Sequence, residues 1–200
     1  MFDSNIKASD FIKSLKSEID AALPIPDEQY VEWLNTFEQF LYSGIIHIQH
    51  ECEVELHNAS PNSEVSIPGD EAPIRFDDIV TVYADDVQLI KTTLATSMIF
   101  DCCYFEKNGS LQYKCPDTTQ KIHILYNVRP RLKTVTDGKI CDDTIKIPLD
   151  YIELFKSKIR SDAYMYVNES ATAANWINAY NVWLENFKQW YDKNYPAFGI

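Results

Sequence analysis

Residues 147–191 constrain this chain more than any other stretch, because two consecutive helices can be read there from residue spacing alone. In the run Ile147, Pro148, Leu149, Asp150 the proline occupies a first-turn position, where its missing N–H costs nothing. Asp150 then places negative charge near the positive helix start. Ile152, Phe155, Ile159 and Ala163 follow on one face at spacings of three and four, and Lys156, Lys158, Arg160 and Asp162 fall elsewhere. A polar break at Asn168, Glu169 and Ser170 precedes a broader stripe: Ala173, Trp176, Ile177, Tyr180, Trp183, Leu184, Phe187, Trp190 and Tyr191. Two such helices with so short a link form an antiparallel hairpin, since each apolar face is too large to leave in water.

The amino-terminal end mirrors this pattern. Ser9 or Asp10 is placed to cap a helix carrying Phe11, Ile12, Leu15, Ile19, Ala22 and Leu23, ending before Pro24. Pro26, Asp27 and Glu28 repeat the later start signal, Tyr30, Trp33, Leu34, Phe37, Phe40 and Leu41 form a second aromatic stripe, and Gly44 closes it. Packing the four apolar faces together buries all of them in one bundle.

Between the helix pairs the period changes from 3.6 to 2. Ile46, Ile48, His50, Cys52, Val54 and Leu56 alternate with His47, Gln49, Glu51, Glu53, Glu55 and His57, a half-buried strand with an acidic outer face. A loop is expected over 58–70, around a brief Val65, Ser66, Ile67. Strands are expected over 79–83 and, after the Asp85–Asp86 turn, over 87–90. A hairpin joins 98–105 to 111–115 through Asn108 and Gly109, and a further strand over 121–128 ends at Arg129, Pro130 and Arg131. Thr136, Asp137 and Gly138 make a turn before the short Thr144, Ile145, Lys146. The class is therefore α+β: helices over 1–44, an inserted antiparallel β region over 45–146, a helical hairpin over 147–192 and a tail over 193–200.

A formal net charge of −12 opposes a surface built to neutralise phosphates. No run approaches the roughly 20 apolar residues of a membrane span and the first residues form no leader, so a soluble chain made in the cytoplasm is expected. Cys52, Cys102, Cys103, Cys115 and Cys141 are an odd set without paired spacing, which fits reduced, partly buried thiols. Cys102 and Cys103 point to opposite faces of a strand, which opposes a disulfide between them.

Motifs for chemistry are sparse. There is no nucleophile elbow, P-loop, dinucleotide turn or zinc-protease motif, and no catalytic residue, metal ligand or cofactor is assigned. Strand alternation places His47 opposite His50 and Cys52, which spoils a shared zinc. The pairs Asp77–Asp78, Asp85–Asp86 and Asp142–Asp143 lack the spacing of a calcium loop and read as turn caps. Cys141 beside Asp142 has no histidine placed with it, and a hydrolase built on scattered aspartates has no pair in proximity. Arg129, Pro130, Arg131, Leu132 and Lys133 form the one local basic cluster, read as a solvated loop before a phosphate or partner contact. The last residues, with Tyr195, Pro196, Phe198 and Ile200, are more apolar than a fraying terminus and suit docking on another protein.

The order of these signals resembles the head-to-tail adaptor, or connector, proteins of tailed bacteriophages, neck-ring proteins included. The residues that carry the likeness are the aromatic helix over 28–41, the strand over 77–83, the strand end Tyr126, Asn127, Val128, Arg129, Pro130, the Ile147–Pro148 opening, and the helix over 171–191 with Trp176, Tyr180 and Phe187. The resemblance implies a non-enzymatic structural protein of the virion neck or tail. It would assemble with itself as a ring, typically twelvefold, under the portal protein, meet downstream neck and tail proteins, and continue the channel for double-stranded DNA without membrane contact. It implies that Tyr195, Pro196, Phe198 and Ile200 dock on the portal and that Glu51, Glu53 and Glu55 line the channel, where they repel phosphate. Two other readings stand beside it: a neck or baseplate component further from the portal, and a monomeric β-rich ligand-binding module with a pocket lined by Tyr83, Tyr104, Tyr113 or Tyr126.

Overall fold

Both proline start signals open helices. In the computed structural model, which describes residues 6–19, 23–55, 64–65, 76–107, 110–116, 119–141 and 143–195, Pro26 is the N-cap of the second helix. Pro148 precedes a 3-10 turn, Leu149–Tyr151, that runs into the third. The helices are α1 (Ala8–Glu18), α2 (Asp27–Gly44), α3 (Ile152–Tyr166) and α4 (Ser170–Asn194). Between α2 and α3 lie β1 (Gln49–Glu55), β2 (Glu64–Val65), β3 (Ile79–Ala84), β4 (Val87–Gln88), β5 (Ile90–Lys91), β6 (Cys103–Lys107), β7 (Ser110–Lys114), β8 (Lys121–Asn127), β9 (Val135–Thr136) and β10 (Lys139–Ile140). The protein is α+β. It divides into two compact units, one made of residues 1–46 with 130–200 and the other of residues 47–129.

The helical unit is closed by aromatic contacts between elements far apart in sequence. Phe155 of α3 meets Phe11 of α1 at 6.5 Å and Phe37 of α2 at 4.9 Å, and Phe37 meets Tyr180 of α4 at 5.6 Å. Edge-on geometry at these distances adds to the gain from burying the rings. Leu15, Leu34, Leu41, Ile159 and Ala173 are fully buried around them. α3 and α4 are joined through Asn168, whose φ of 63° is the left-handed conformation that ends a helix and that asparagine tolerates. The polar face of α3 is also used: Lys156 and Arg160 both reach Glu18 at the end of α1.

Two helix boundaries differ from the sequence expectation. α1 begins at Ala8, so Ser9 and Asp10 lie inside the helix and the cap position falls to Lys7, which gives no side-chain cap; the Ala8 N–H donates instead to the Asp143 carbonyl at 2.8 Å. The same segment is tied by a bridge between Lys7 and Thr144 and by the Ile145 N–H donating to Ile6. α1 also stops at Glu18, well short of Leu23, as the chain turns extended at Ile19.

The second unit holds two four-stranded sheets in place of one, ordered β1-β8-β3-β4 and β2-β7-β6-β5. Leu89, buried and donating its N–H to Val82, is where the chain leaves one sheet for the other. The region is also not wholly antiparallel, since β5 pairs with β6 in parallel. In β3 the register against β8 shifts between Ile79 and Thr81, so Val80 is a bulge. That extra residue brings Ile79 and Val82 into one buried cluster with Ile122 and Ile124, against simple alternation. The strand expected from Met98 begins at Cys103, after a run of turns over 94–99. Asn108 and Gly109, the expected loop over 58–70 apart from Glu64 and Val65, and residues 196–200 lie outside the described residues.

Residues 130–146, placed with the β region by the sequence reading, belong to the helical unit. They include the β9–β10 hairpin, whose two turn residues Asp137 and Gly138 have φ of 52° and 69°, the pair of positive values that a tight hairpin of this kind needs. Truncating Phe155 to alanine removes the ring shared by three helices. It is expected to lower stability by about 3–5 kcal/mol in urea unfolding.

Candidate functional site

α4 is the longest helix, and its aromatic stripe is only partly covered. Ala173, Phe187 and Tyr191 are buried, while Trp176, Tyr180, Trp183, Leu184 and Trp190 are half-buried and Ile177 is 41% exposed. The indole of Trp176 carries the guanidinium of Arg160 at 4.4 Å, a cation–π contact that leaves its outer side open. Tyr151, Trp183, Phe187 and Trp190 form one aromatic group, with Tyr151 to Trp190 at 5.1 Å and Tyr151 to Phe187 at 5.2 Å. Phe40, 47% exposed on α2, stacks on the same Phe37 that touches Tyr180, so apolar surface continues from α2 onto α4.

The same helix ends at the docking residues expected from sequence. Tyr195 stacks on Tyr191 at 5.1 Å, lies edge-on to Trp190 at 5.9 Å and remains 47% exposed. Pro196, Phe198 and Ile200 lie outside the described residues.

Two of the three basic residues at 129–133 are turned to structural work, while Arg131 between them is exposed. Arg129 pairs through its Nε with Asp78, which is buried. Lys133 is buried and its ammonium is held by Glu38 of α2, also buried. Sequence spacing missed this pair because Glu38 follows Phe37 and carries none of the apolar signal that marks a core position. The surrounding donors complete the arrangement. Glu38 accepts from the Lys146 N–H at 2.7 Å, Asn35 both accepts from the Lys133 N–H and donates to the Lys133 carbonyl at 2.8 Å, and Gln39 donates to the Pro130 carbonyl at 2.9 Å. Tyr42 donates to the Lys146 carbonyl at 3.0 Å. Burial pushes the Glu38 carboxyl above its ordinary range, and the Lys133 ammonium with the Lys146 N–H pulls against it.

The acidic strand face is also more balanced than its sequence. Glu51 accepts from His123 at 3.1 Å, and Glu53 pairs with Lys121 at 2.6 Å, which holds its carboxyl below the usual range. Nothing is described of the Glu55 side chain. A face with its own cations repels phosphate less than three bare glutamates would.

The remaining candidates separate in space or take up structural work. His47 precedes β1, and His50 is exposed and lies edge-on to Tyr126. Asp85, at a positive φ of 49°, accepts from the Gln120 and Lys121 N–H groups and so fixes the start of β8. Asp142 lies outside the described residues, and the Cys141 sulfur accepts from the Thr134 N–H. Among the described residues no group of three or more His, Cys, Asp or Glu is arranged to hold a metal ion, and no helix is long and apolar enough to cross a membrane. Tyr104 and Tyr113, two of the four tyrosines expected around a ligand pocket, are core residues instead, because Tyr104 and Tyr113 face each other across β6 and β7 on the buried side.

Family models and curated proteins were both searched, and neither search returned a match.

Two outcomes are expected here. Glu38→Ala leaves Lys133 buried without its counter-ion and costs about 3–5 kcal/mol in chemical unfolding, while the double change Glu38→Leu with Lys133→Leu costs less than the two single changes summed. Burial raises the thiols of Cys52 and Cys103, with Glu51 adding to the effect at Cys52. Both therefore alkylate more slowly with iodoacetamide at pH 7.5 than free cysteine does, and they speed up as the pH rises towards the thiol range.

Proposed function

We propose that this protein is a non-enzymatic structural component of a tailed-phage virion, a head-to-tail adaptor that forms a ring against the portal and continues the DNA channel. The observation that carries this reading is the half-covered aromatic stripe of α4 with Phe40 beside it. A helix of 25 residues that buries only three of them in its own unit leaves apolar surface for neighbouring subunits. Ring contacts are heterologous, so the stripe on one subunit would meet a different face of the next, and the contact should bury on the order of 800 Å² per partner to be stable. Tyr195 supports the portal contact, because it stacks on Tyr191 at the end of α4 and still leaves 47% of its surface exposed.

The test is light scattering and negative-stain electron microscopy of the protein alone and mixed with a portal protein from the same genome. Rings seated on the portal support the reading. Absence of the chain from purified particles by mass spectrometry, together with no binding to portal, overturns it. Ile177→Glu and Phe40→Glu are expected to abolish ring formation while the monomer still folds, with a modest drop in melting temperature, since both side chains are partly exposed in the single chain. Removal of residues 196–200 should abolish portal binding and leave the melting temperature unchanged.

A further inference from the structure

Among the described residues β1 is an edge strand. It is the terminal member of its sheet, with β8 on one side and no strand described on the other. Among the described residues it offers, at seven residues, a longer edge than any other terminal strand, since two residues each are described in β2, β4 and β5. The Val128 N–H donates to the Ile48 carbonyl, and the unbroken register continues from Gln49 opposite Asn127 to Glu55 opposite Lys121. Antiparallel pairing alternates, so His50, Cys52 and Val54 turn their N–H and C=O groups towards β8. Gln49, Glu51, Glu53 and Glu55 turn theirs to the open edge.

Three of these four edge-facing residues, Glu51, Glu53 and Glu55, are acidic, and among the described residues no strand takes up their backbone groups. A strand added here in antiparallel pairing would place a residue directly opposite Glu51 and another directly opposite Glu53, both on the acidic face and about 5.5 Å away between α-carbons. Each carboxylate has about four acceptor positions, and His123 and Lys121 fill only part of them. The Glu51 side chain is 64% exposed.

Charge selects the occupant. If a second copy paired its own β1 antiparallel and centred on Cys52, Glu51 would stand opposite Glu53 of the other copy, and like charges directly opposite are destabilising. Glutamates on an edge thus disfavour self-pairing in this register. We infer that β1 is a docking edge for an extended segment of another protein, one that alternates lysine or arginine with small apolar residues. The basic residues pair with Glu51 and Glu53, and the apolar ones lie on the side of Cys52 and Val54, which are half-buried. This inference goes beyond the adaptor reading and does not depend on it.

The test uses the full chain and a nine-residue peptide alternating lysine with valine. Two controls accompany it: a glutamate–valine peptide, and the lysine–valine peptide N-methylated at the amides that would face β1. Binding is read by fluorescence anisotropy and amide hydrogen exchange by NMR. The lysine–valine peptide should bind and slow exchange at the Glu51 and Glu53 amides, with the already bonded His50 and Cys52 amides little changed. Both controls should bind at least tenfold more weakly. Glu51→Gln with Glu53→Gln should weaken the lysine–valine peptide about tenfold, with the fold of the variant checked by its NMR spectrum. Equal binding of the N-methylated peptide, or unchanged exchange at Glu51 and Glu53 under saturation, overturns the inference. Neither result alters portal binding, which reads the α4 surface.

Discussion

The helical unit depends on one buried ion pair. Glu38 and Lys133 are nearly inaccessible, and removing charges from water costs several kcal/mol per ion unless geometry and further hydrogen bonds compensate. Here they do: α2 turns Asn35, Glu38, Gln39 and Tyr42 to the segment between Pro130 and Lys146 and satisfies backbone groups at both of its ends. These are positions on one helical face, at spacings of three and four, so a polar stripe beside the aromatic one is the means by which α2 holds a non-helical segment. A hydrophobic stripe alone would bury area without specifying which loop it covers.

That grip explains why the chain divides as it does. The β9–β10 hairpin has the local sequence of a β region, yet its anchor points belong to α2 and α1, so it joins the helices. The boundary at 129 and 130 falls between two basic residues with different buried partners: Arg129 answers Asp78 within the β unit, and Lys133 answers Glu38 within the helical one. Two of the three like charges in this stretch are thereby committed to different units, and only Arg131 stays exposed.

Much of this was legible from residue order. Pro26 and Pro148 marked helix starts, Asn168 marked a helix end, Asp137 and Gly138 marked a turn, and Phe37, Phe155 and Phe187 fell where helical spacing placed them in a core. What was not legible has a common physical cause. Burial of Glu38, Lys133 and Asp78 depends on partners 95 and 51 residues away, and local spacing carries no information about them. The Val80 bulge and the parallel β5–β6 pair are likewise settled by neighbouring strands, and the first cap of α1 is supplied by a carbonyl at Asp143. The aromatic stripe of α4 was read correctly as apolar, but spacing does not distinguish rings covered by the same chain from rings left half in water.

Discontinuity of the helical unit bears on how the chain is made. α2 leaves the ribosome with its stripe of Tyr30, Leu34, Phe37 and Leu41 complete, but α3 begins only at Ile152, after the whole β unit has been translated. At ordinary elongation speeds that interval is roughly five to twenty seconds, long beside the microseconds in which a helix forms. Throughout it the nascent α2 carries uncovered rings, so the β unit is the first part able to complete its interior, and α1 and α2 wait for α3 and α4 to acquire theirs.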